Sequence, residues 1–262
     1  MSTEPAGAAW MSFRSHVGRA VTTFLFPSAC LVCAEPLEEI RAGGVCRACW
    51  ECLPALAPRR CFRCDEPLPA MDAEVCGRCL LDPPPFAGLR AAAPYRGTAR
   101  AILIAFKFRS ADFLAGHLAR RMANALERGV FDEVVPVPAT AISRLRRDHA
   151  ADLLGAALAR RLGRPFSARR LRKVRATERQ SGLRADRRAG NVRGAFRAQG
   201  RPAPRVLLVD DVATSGSTAR ECSRALLAAG ARSVRVAVFA RATRDDEIAA
   251  ARDEFREGIE AS

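Results

Sequence analysis

Residues 206–218 read VLLVDDVATSGST, and this stretch decides the fold of the chain. Its aliphatic run predicts a buried strand that delivers Asp210 and Asp211 to its carboxyl end. A loop of small hydroxylated residues and one glycine follows, and then a helical pattern over Ala219–Ala229. Backbone N–H groups at a helix N-terminus bind phosphate, and ionised carboxylates accept hydrogen bonds from a vicinal diol. The stretch therefore predicts a site for a phosphorylated sugar.

Other structures share parts of this pattern. An ordinary strand–turn–helix needs no ligand, and paired aspartates also line metal-binding pockets. A dinucleotide fingerprint is excluded because there is no G-x-G-x-x-G, and a Walker A loop because no Gly-Lys-Ser/Thr follows. All thirteen positions resemble the phosphoribosyl pyrophosphate (PRPP) binding motif of type I phosphoribosyltransferases.

The cysteines form a second pattern, since eight of the ten fall into four C-x-x-C pairs. Twelve residues separate the first two pairs and eleven separate the last two, which indicates an internal duplication. Two C-x-x-C turns can surround one metal with four thiolates, so we expect two structural Zn²⁺ sites. The expected ligands are Cys30, Cys33, Cys46 and Cys49 in one site and Cys61, Cys64, Cys76 and Cys79 in the other.

The cysteine pattern leaves an alternative open, because an interleaved pairing of the turns would give a cross-braced fold. Disulfides are disfavoured, since the sequence has no secretion signal and thiols of the cytoplasm stay reduced. We therefore expect a cytoplasmic protein. We also expect no membrane span, because no apolar run approaches the ~20 residues that a membrane helix needs.

The net charge of +15 bears on which kinds of partner the chain binds. Its basic excess is concentrated between Arg144 and Arg205, where acidic residues are few. Such a region suits phosphate, pyrophosphate or nucleic acid. A solvated, arginine-rich surface explains the charge equally well.

The order of the patterns predicts the organisation of the chain. We expect an amphipathic N-terminal helix in residues 1–28, a double zinc-ribbon module in 29–85 and an α/β domain in 86–262. Strands alternate with helices in the last part, which predicts a doubly wound, mostly parallel sheet. Residues 170–204 lack periodicity and predict a polar flap over the site. The predicted strands are Leu89–Tyr95, Glu133–Val137, Val206–Val209 and Val234–Phe239, and the predicted helices are Thr98–Phe106, Phe113–Arg128, Ala150–Leu162, Thr218–Ala229 and Asp245–Arg256.

A four-C-x-x-C module before a phosphoribosyltransferase-like domain resembles the ComF family (ComFC/GntX-like) of bacterial proteins. The resemblance covers nearly the whole chain. It rests on Phe26-Pro27-x-x-Cys30-x-x-Cys33, Tyr95-Arg96-Gly97 followed by Lys107-Phe108, Val135-Pro136-Val137-Pro138, the set Thr177, Gln180, Leu183, Arg188, Asn191 and Gly194-Ala195-Phe196, and Phe239-Ala240-Arg241.

The resemblance implies a role for each part of the site. Asp210 and Asp211 would hold the ribose hydroxyls of PRPP or of another phosphorylated ribose, with Mg²⁺ bound beside the pyrophosphate. Lys107 would contact the pyrophosphate, and Arg188 would close over the ligand from the flap. The 5′-phosphate would lie against Ala213, Thr214, Ser215, Gly216, Ser217 and Thr218.

Two functions fit this resemblance. The first is Mg²⁺-dependent transfer of a phosphoribosyl group to an unidentified acceptor. The second is an accessory role in competence, the uptake of DNA, in which the protein binds single-stranded DNA or competence proteins. In the second case the PRPP site would be regulatory or vestigial.

Overall fold

The computed structural model describes residues 29–37, 44–69, 73–108, 111–126, 130–139, 149–175 and 193–243. They form two compact units, of which one ends at Cys52 and the other begins at Leu53. The helices expected in residues 1–28 and in Asp245–Arg256 lie outside the described residues. The domain limits at residues 28 and 85 stay predictions.

The first unit contains one four-cysteine group. An isolated bridge between Ala29 and Pro36 closes the turn that carries Cys30 and Cys33. The short helix α1 (Arg47–Glu51) begins directly after Cys46. This turn and helix bring the two C-x-x-C pairs of the unit together.

The second unit contains the other four-cysteine group and the α/β domain. It begins with a similar turn, bridged between Arg60 and Pro67. The elements that follow are α2 (Gly77–Leu81), β1 (Gly88–Pro94), α3 (Gly97–Phe108), a 3₁₀ turn (Asp112–Leu114), α4 (Ala115–Ala125), β2 (Glu133–Pro136), α5 (Ala150–Leu162), β3 (Leu171–Lys173), β4 (Phe196–Ala198), β5 (Arg205–Ala213), α6 (Ser217–Ala228) and β6 (Ser233–Arg241).

The main sheet has four parallel strands in the order β1–β6–β5–β2. Helix α6 packs on β5 and β6, together with the small antiparallel pair of β3 and β4. Helices α4 and α5 pack against each other and on the main sheet. The predicted parallel α/β sheet is thus confirmed, and a cysteine-rich module precedes it.

The core explains why β5 is central. Alternate residues of a strand point to opposite faces, and Val206 and Leu208 pack with Cys222 and Leu226 of α6. Leu207 and Val209 of β5 face the opposite side, where they too are buried. A strand covered on both faces requires a continuous apolar run, which the sequence supplies from residue 206 to residue 209.

Strand β5 is longer than expected. The sequence predicts that it ends at Val209, but it continues through the acidic pair to Ala213, paired with β6. Polar residues remain in the strand because the neighbouring β6 supplies backbone partners up to Arg241. Within the part of the chain that the structure describes, no helix has the length and apolar composition that crossing a membrane requires.

The second cysteine group packs on β1. The Leu89 N–H donates to the Arg63 carbonyl at 2.9 Å, and the Ala91 N–H donates to Asp65 Oδ2 at 2.9 Å. Asp65 is buried and also accepts two hydrogen bonds from the Arg60 guanidinium. The turn after Cys61 is therefore bound to the α/β domain through backbone groups and a buried carboxylate.

Glu133 joins the start of β2 to two later segments. Its carboxylate accepts from Arg170 Nε at 2.9 Å and from the Ala203 N–H at 2.9 Å. Burial works against ionisation of Glu133. The Ala203 N–H, the Ser167 hydroxyl and the Arg170 guanidinium outweigh burial and lower the pKa of the carboxyl group. Glu133 therefore stabilises the fold as a carboxylate.

We expect Glu133→Gln to lower the free energy of unfolding at pH 7 by about 2 kcal/mol, because a buried charge-assisted network loses its acceptor. A lowered folded pKa gives stability above the unfolded pKa of about 4.3, and this stability is lost as pH falls through the folded pKa. The difference between wild type and variant should therefore shrink below about pH 4. Urea unfolding at a series of pH values measures it. The control Asp132→Asn removes the neighbouring, more exposed partner of Arg205, and an equal loss there would contradict a special role for Glu133.

Candidate functional site

The acidic pair lies at the carboxyl end of the parallel sheet, where ligands bind in this class of fold. Because the strand continues, the two side chains diverge. Asp210 follows Val206 and Leu208 on the face covered by α6. Its negative charge acts on the Cys222 thiol of α6. Burial is the main cause of the raised pKa of this thiol, and the charges of Asp210 and Glu221 raise the pKa further. The pair therefore presents one carboxylate on each face.

Asp211 lies on the other face and is 8% exposed. Its Oδ2 atom forms an ion pair with Nζ of Lys107, at the end of α3. The sequence placed Lys107 as a pyrophosphate contact without a structural partner. The structure pairs this lysine with Asp211, so the cation and the two carboxylates all lie at the carboxyl end of the sheet.

The loop after β5 has three residues, Thr214, Ser215 and Gly216, before α6 begins at Ser217. Gly216 caps the helix with φ of +74°, a left-handed conformation that favours glycine. Ser215 Oγ and Ser217 Oγ lie 2.9 Å apart. The first N–H groups of α6 have no acceptors within the helix, and the helix dipole there favours an anion. The expected phosphate residues Ala213–Thr218 thus form one turn between β5 and α6.

A buried arginine next to this loop was not predicted as a site residue. Arg241 ends β6 and is 4% exposed. It donates from Nη1 to the carbonyls of Ala213 and Thr214 and from Nη2 to Glu66 Oε2 at 2.6 Å. The sequence offered one signal, the arginine that closes the Phe239-Ala240-Arg241 motif. Its partners are far away in sequence, so no local pattern reveals them.

The predicted flap is described only at its ends. Strands β3 and β4 pair with each other, and the Val174 N–H donates to the Ala195 carbonyl at 2.8 Å. The Gly194 N–H donates to Glu221 Oε2 of α6 at 2.8 Å. Arg188 lies outside the described residues, so its expected contact with the ligand stays a prediction.

The eight paired cysteines form two groups in sequence order, not interleaved. In each group the four sulfurs lie within 4.8 Å of one another. Tetrahedral zinc with Zn–S bonds of about 2.3 Å spaces its sulfurs by about 3.8 Å. The observed Sγ–Sγ distances are 3.8 Å for Cys30–Cys49, 3.7 Å for Cys33–Cys46 and 3.6 Å for Cys64–Cys76. Both groups therefore fit a structural zinc ion.

Backbone N–H groups prepare the thiols for a metal. Burial raises the pKa of the Cys61 thiol, but N–H groups of Cys76, Cys64 and Arg63 outweigh burial and lower it to about 7. Cys30 holds the corresponding position in the first group, and backbone N–H groups lower the pKa of its thiol to about 6 in the same way. Zinc binds the thiolate, so each group starts with one sulfur that ionises readily.

Comparison with known proteins agrees with both halves of this arrangement. Residues 21–80 match the family described as double zinc ribbon domain, and residues 153–255 match the phosphoribosyl transferase domain. The chain is 33% identical over 227 residues to the DNA utilization protein YhgH of Salmonella typhimurium, covering 80% of this chain and 95% of that protein. It is 31% identical over 182 residues to competence protein F of Haemophilus influenzae, covering 65% and 80%.

We expect Gly216→Ala to lower the free energy of unfolding by roughly 1 kcal/mol, because an L-residue is strained at this φ. The added Cβ itself would meet no atom within 4 Å, so the loss reports conformation and not a clash. The control Gly116→Ala lies in α4 with equally open space and no positive φ. Chemical denaturation should show that variant unchanged or more stable; equal losses would contradict the argument from conformation.

Metal analysis of the purified chain should find two zinc ions, one for each four-sulfur group. Cys49→Ser should lower the zinc content, because it removes a ligand from a closed thiolate site. Cys52→Ser is the matched control: it changes a cysteine three positions away that belongs to neither group. A chain with disulfides and no zinc would overturn the metal assignment.

Proposed function

The chain belongs to the ComF family, that of competence protein F and the DNA utilization protein YhgH, and from this premise we propose that it binds PRPP with Mg²⁺ and transfers the phosphoribosyl group to an acceptor. One observation carries the proposal. An acidic pair, a three-residue loop and a helix N-terminus follow one another at the carboxyl end of a central parallel strand. This arrangement lies within a phosphoribosyl transferase domain.

The 5′-phosphate binds at the start of α6. The backbone from Ala213 to Thr218 supplies N–H donors, and the hydroxyls of Thr214, Ser215, Ser217 and Thr218 add further donors. Ser215 and Ser217 already lie against each other, so their hydroxyl hydrogens can turn to a bound anion at little cost. The positive end of the helix dipole adds to the attraction.

The ribose lies above the acidic pair. Ionised carboxylates accept the hydrogen bonds that the 2′- and 3′-hydroxyls donate. Because Asp211 is engaged by Lys107 and Asp210 is the more exposed of the two, the two carboxylates have different roles. Asp210 meets the diol first. Asp211 holds the Lys107 ammonium group close to where the pyrophosphate leaves.

In the transfer, the bond between C1 of the ribose and the pyrophosphate oxygen breaks and a bond from the acceptor to C1 forms. Positive charge develops on the ring and negative charge on the leaving group. The two aspartates stabilise the first, and Lys107 stabilises the second. Mg²⁺ prefers oxygen ligands and keeps several waters; the carboxylates of Asp210 and Asp211 suit it, and bound there it would neutralise pyrophosphate charge.

The compartment and the polar flap belong to the same proposal. Cytoplasmic location keeps the eight zinc thiols reduced, and PRPP is a charged ligand that does not cross membranes unaided. Arg188 of the flap supplies a further positive charge to the pyrophosphate once the ligand is bound.

A second function has its own support. The relatives carry the names DNA utilization protein and competence protein F, and the net charge of +15 favours a polyanion. We propose that single-stranded DNA binds to the basic residues concentrated between Arg144 and Arg205 and not to the acidic pair, since carboxylates repel phosphates. Binding of competence proteins would be part of the same accessory function.

The test is calorimetry with PRPP and Mg²⁺ on the wild type, Asp210→Asn, Asp211→Asn and the double variant. Each single variant should weaken binding at least about tenfold, because a hydrogen bond to a charged group contributes about 1.5–3 kcal/mol, and the double variant should abolish it. Glu51→Gln removes an exposed carboxylate of the first unit and should leave the affinity unchanged. Release of pyrophosphate with a panel of bases and amines then tests for transfer.

The same variants separate the two functions. Affinity for a single-stranded oligonucleotide, followed by anisotropy, should survive in the folded double variant and fall with rising salt. A wild type that does not bind PRPP would refute the first function. Loss of both ligands together in the double variant would refute separate sites.

A further inference from the structure

The two cysteine groups are copies of one turn, and the second packs on the α/β domain of its own unit. We call the turn of each copy, Cys30–Leu37 and Cys61–Leu68, the first and second knuckle. In both knuckles the first cysteine N–H donates to a glutamate carbonyl five residues on, at 2.8 Å from Cys30 to Glu35 and 2.7 Å from Cys61 to Glu66. The copies therefore share a backbone, and their side chains account for any difference in role.

Glu66 and Cys64 of the second knuckle are both bound to one arginine, Arg241. Arg241 Nε donates to the Cys64 carbonyl at 3.2 Å, and Nη2 donates to Glu66 Oε2 at 2.6 Å. Arg78 of α2 lies 3.7 Å from the same Glu66 oxygen. Cys64 is itself a zinc ligand of the second group. The guanidinium therefore contacts the backbone of a residue whose side chain belongs to the metal site.

The opposite side of the same guanidinium holds the phosphate loop. Nη1 donates to the carbonyls of Ala213, at 3.1 Å, Thr214 and Ala242, at 2.7 Å. Ala213 ends β5, and Thr214 is the first residue of the loop. A cavity of about 10 Å³, lined in part by Cys64, Ser215, Gly216 and Arg241, lies between the knuckle and the loop, and it has room for about one water. The loop and the knuckle are therefore in close contact through one side chain.

An arginine is suited to this place because its planar fork offers five donors in fixed directions. A lysine would keep the charge but could not reach backbone acceptors on two sides. The carbonyls of Ala213 and Thr214 point toward Arg241, so their peptide planes are oriented by it. The direction of the N–H groups that follow in the loop depends on those peptide planes.

We propose that Arg241 is a positioning residue through which zinc at the second knuckle sets the geometry of the phosphate loop, so that zinc and PRPP bind cooperatively. The proposal rests on the PRPP binding proposed above. Zinc holds Cys64 and the knuckle backbone in place, the knuckle holds Arg241, and Arg241 holds the first carbonyls of the loop. The second knuckle is then part of the ligand site, and its metal regulates that site.

Cooperativity of this kind is reciprocal: if zinc raises the affinity for PRPP by some factor, PRPP raises the affinity for zinc by the same factor. Couplings between sites are commonly 5- to 150-fold, and we expect one on the order of tenfold here. The first zinc group of the same chain is an internal reference, because it belongs to the other unit.

The decisive experiment uses the unmodified chain in zinc-buffered solutions, with and without PRPP and Mg²⁺, and counts bound zinc at equilibrium. PRPP should raise the zinc affinity of one of the two sites about tenfold and leave the zinc affinity of the other site unchanged. If PRPP binds by calorimetry but tightens neither zinc, the coupling is refuted and the proposed function stands. If PRPP does not bind at all, the proposed function itself has failed.

Variants then assign the coupling to Arg241. Arg241→Lys, with its zinc content complete, should bind PRPP about tenfold more weakly and lose the effect of PRPP on zinc. Arg205→Lys is the matched control: it changes an arginine at the other end of β5, paired with Asp132, and should keep both. Glu66→Gln removes the carboxylate that accepts a hydrogen bond from Arg241. This variant replaces Arg241→Lys in the test if Arg241→Lys does not fold. Normal coupling in a folded Arg241→Lys or Glu66→Gln variant would overturn the role of Arg241.

Discussion

The parallel register between β5 and β6 is the constraint on which the rest of the structure depends. It places Asp210 beside Val238 and Ala213 beside Arg241, so that both strands end at the same level. The acidic pair and the loop come from one strand and the arginine that holds the loop comes from the other. The apolar residues that fix this register, Val206–Val209 and Val236–Phe239, are nearly all inaccessible. A shift of one residue would move each side chain of the strand to the opposite face and separate the loop from Arg241.

What the sequence predicted correctly depends on short separations along the chain. The strand, acidic pair, loop and helix are contiguous, and each C-x-x-C pair is recognisable within four residues, so local chemistry suffices. The extent of β5 was wrong by four residues because polarity suggested an end where backbone pairing with β6 continues. Strands β3 and β4 have three residues each and carry no periodicity, so their sequence predicts an irregular flap.

The long-range contacts of the site could not be predicted in the same way. Arg241 and Glu66 are 175 positions apart, and neither local sequence indicates that the two residues are in contact. Lys107 was expected at the ligand, yet its ion pair with Asp211 follows only from how α3 sits at the end of the sheet. Asp65 was unremarkable as a residue after a C-x-x-C turn, and its role follows from burial against β1.

The duplicated turn shows how one copy acquired a second task. Ala34 and Asp65 occupy the same position in the two copies and share a left-handed backbone, with φ of 61° and 64°. A left-handed position accommodates aspartate better than most residues with a side chain. The carboxylate at this position, with no equivalent on an alanine, lets the second copy bind the backbone of β1 while keeping the turn unchanged.

That contact has a consequence for the protein without metal. Strand β1 is outermost in the sheet, and its Leu89 and Ala91 N–H groups are occupied by the second copy of the turn. If the turn loosens when zinc is removed, these two backbone donors lie open, and open edge donors are the template that edge-to-edge pairing between chains requires. The second copy of the turn therefore also covers a sheet edge that would otherwise be open to pairing with another chain.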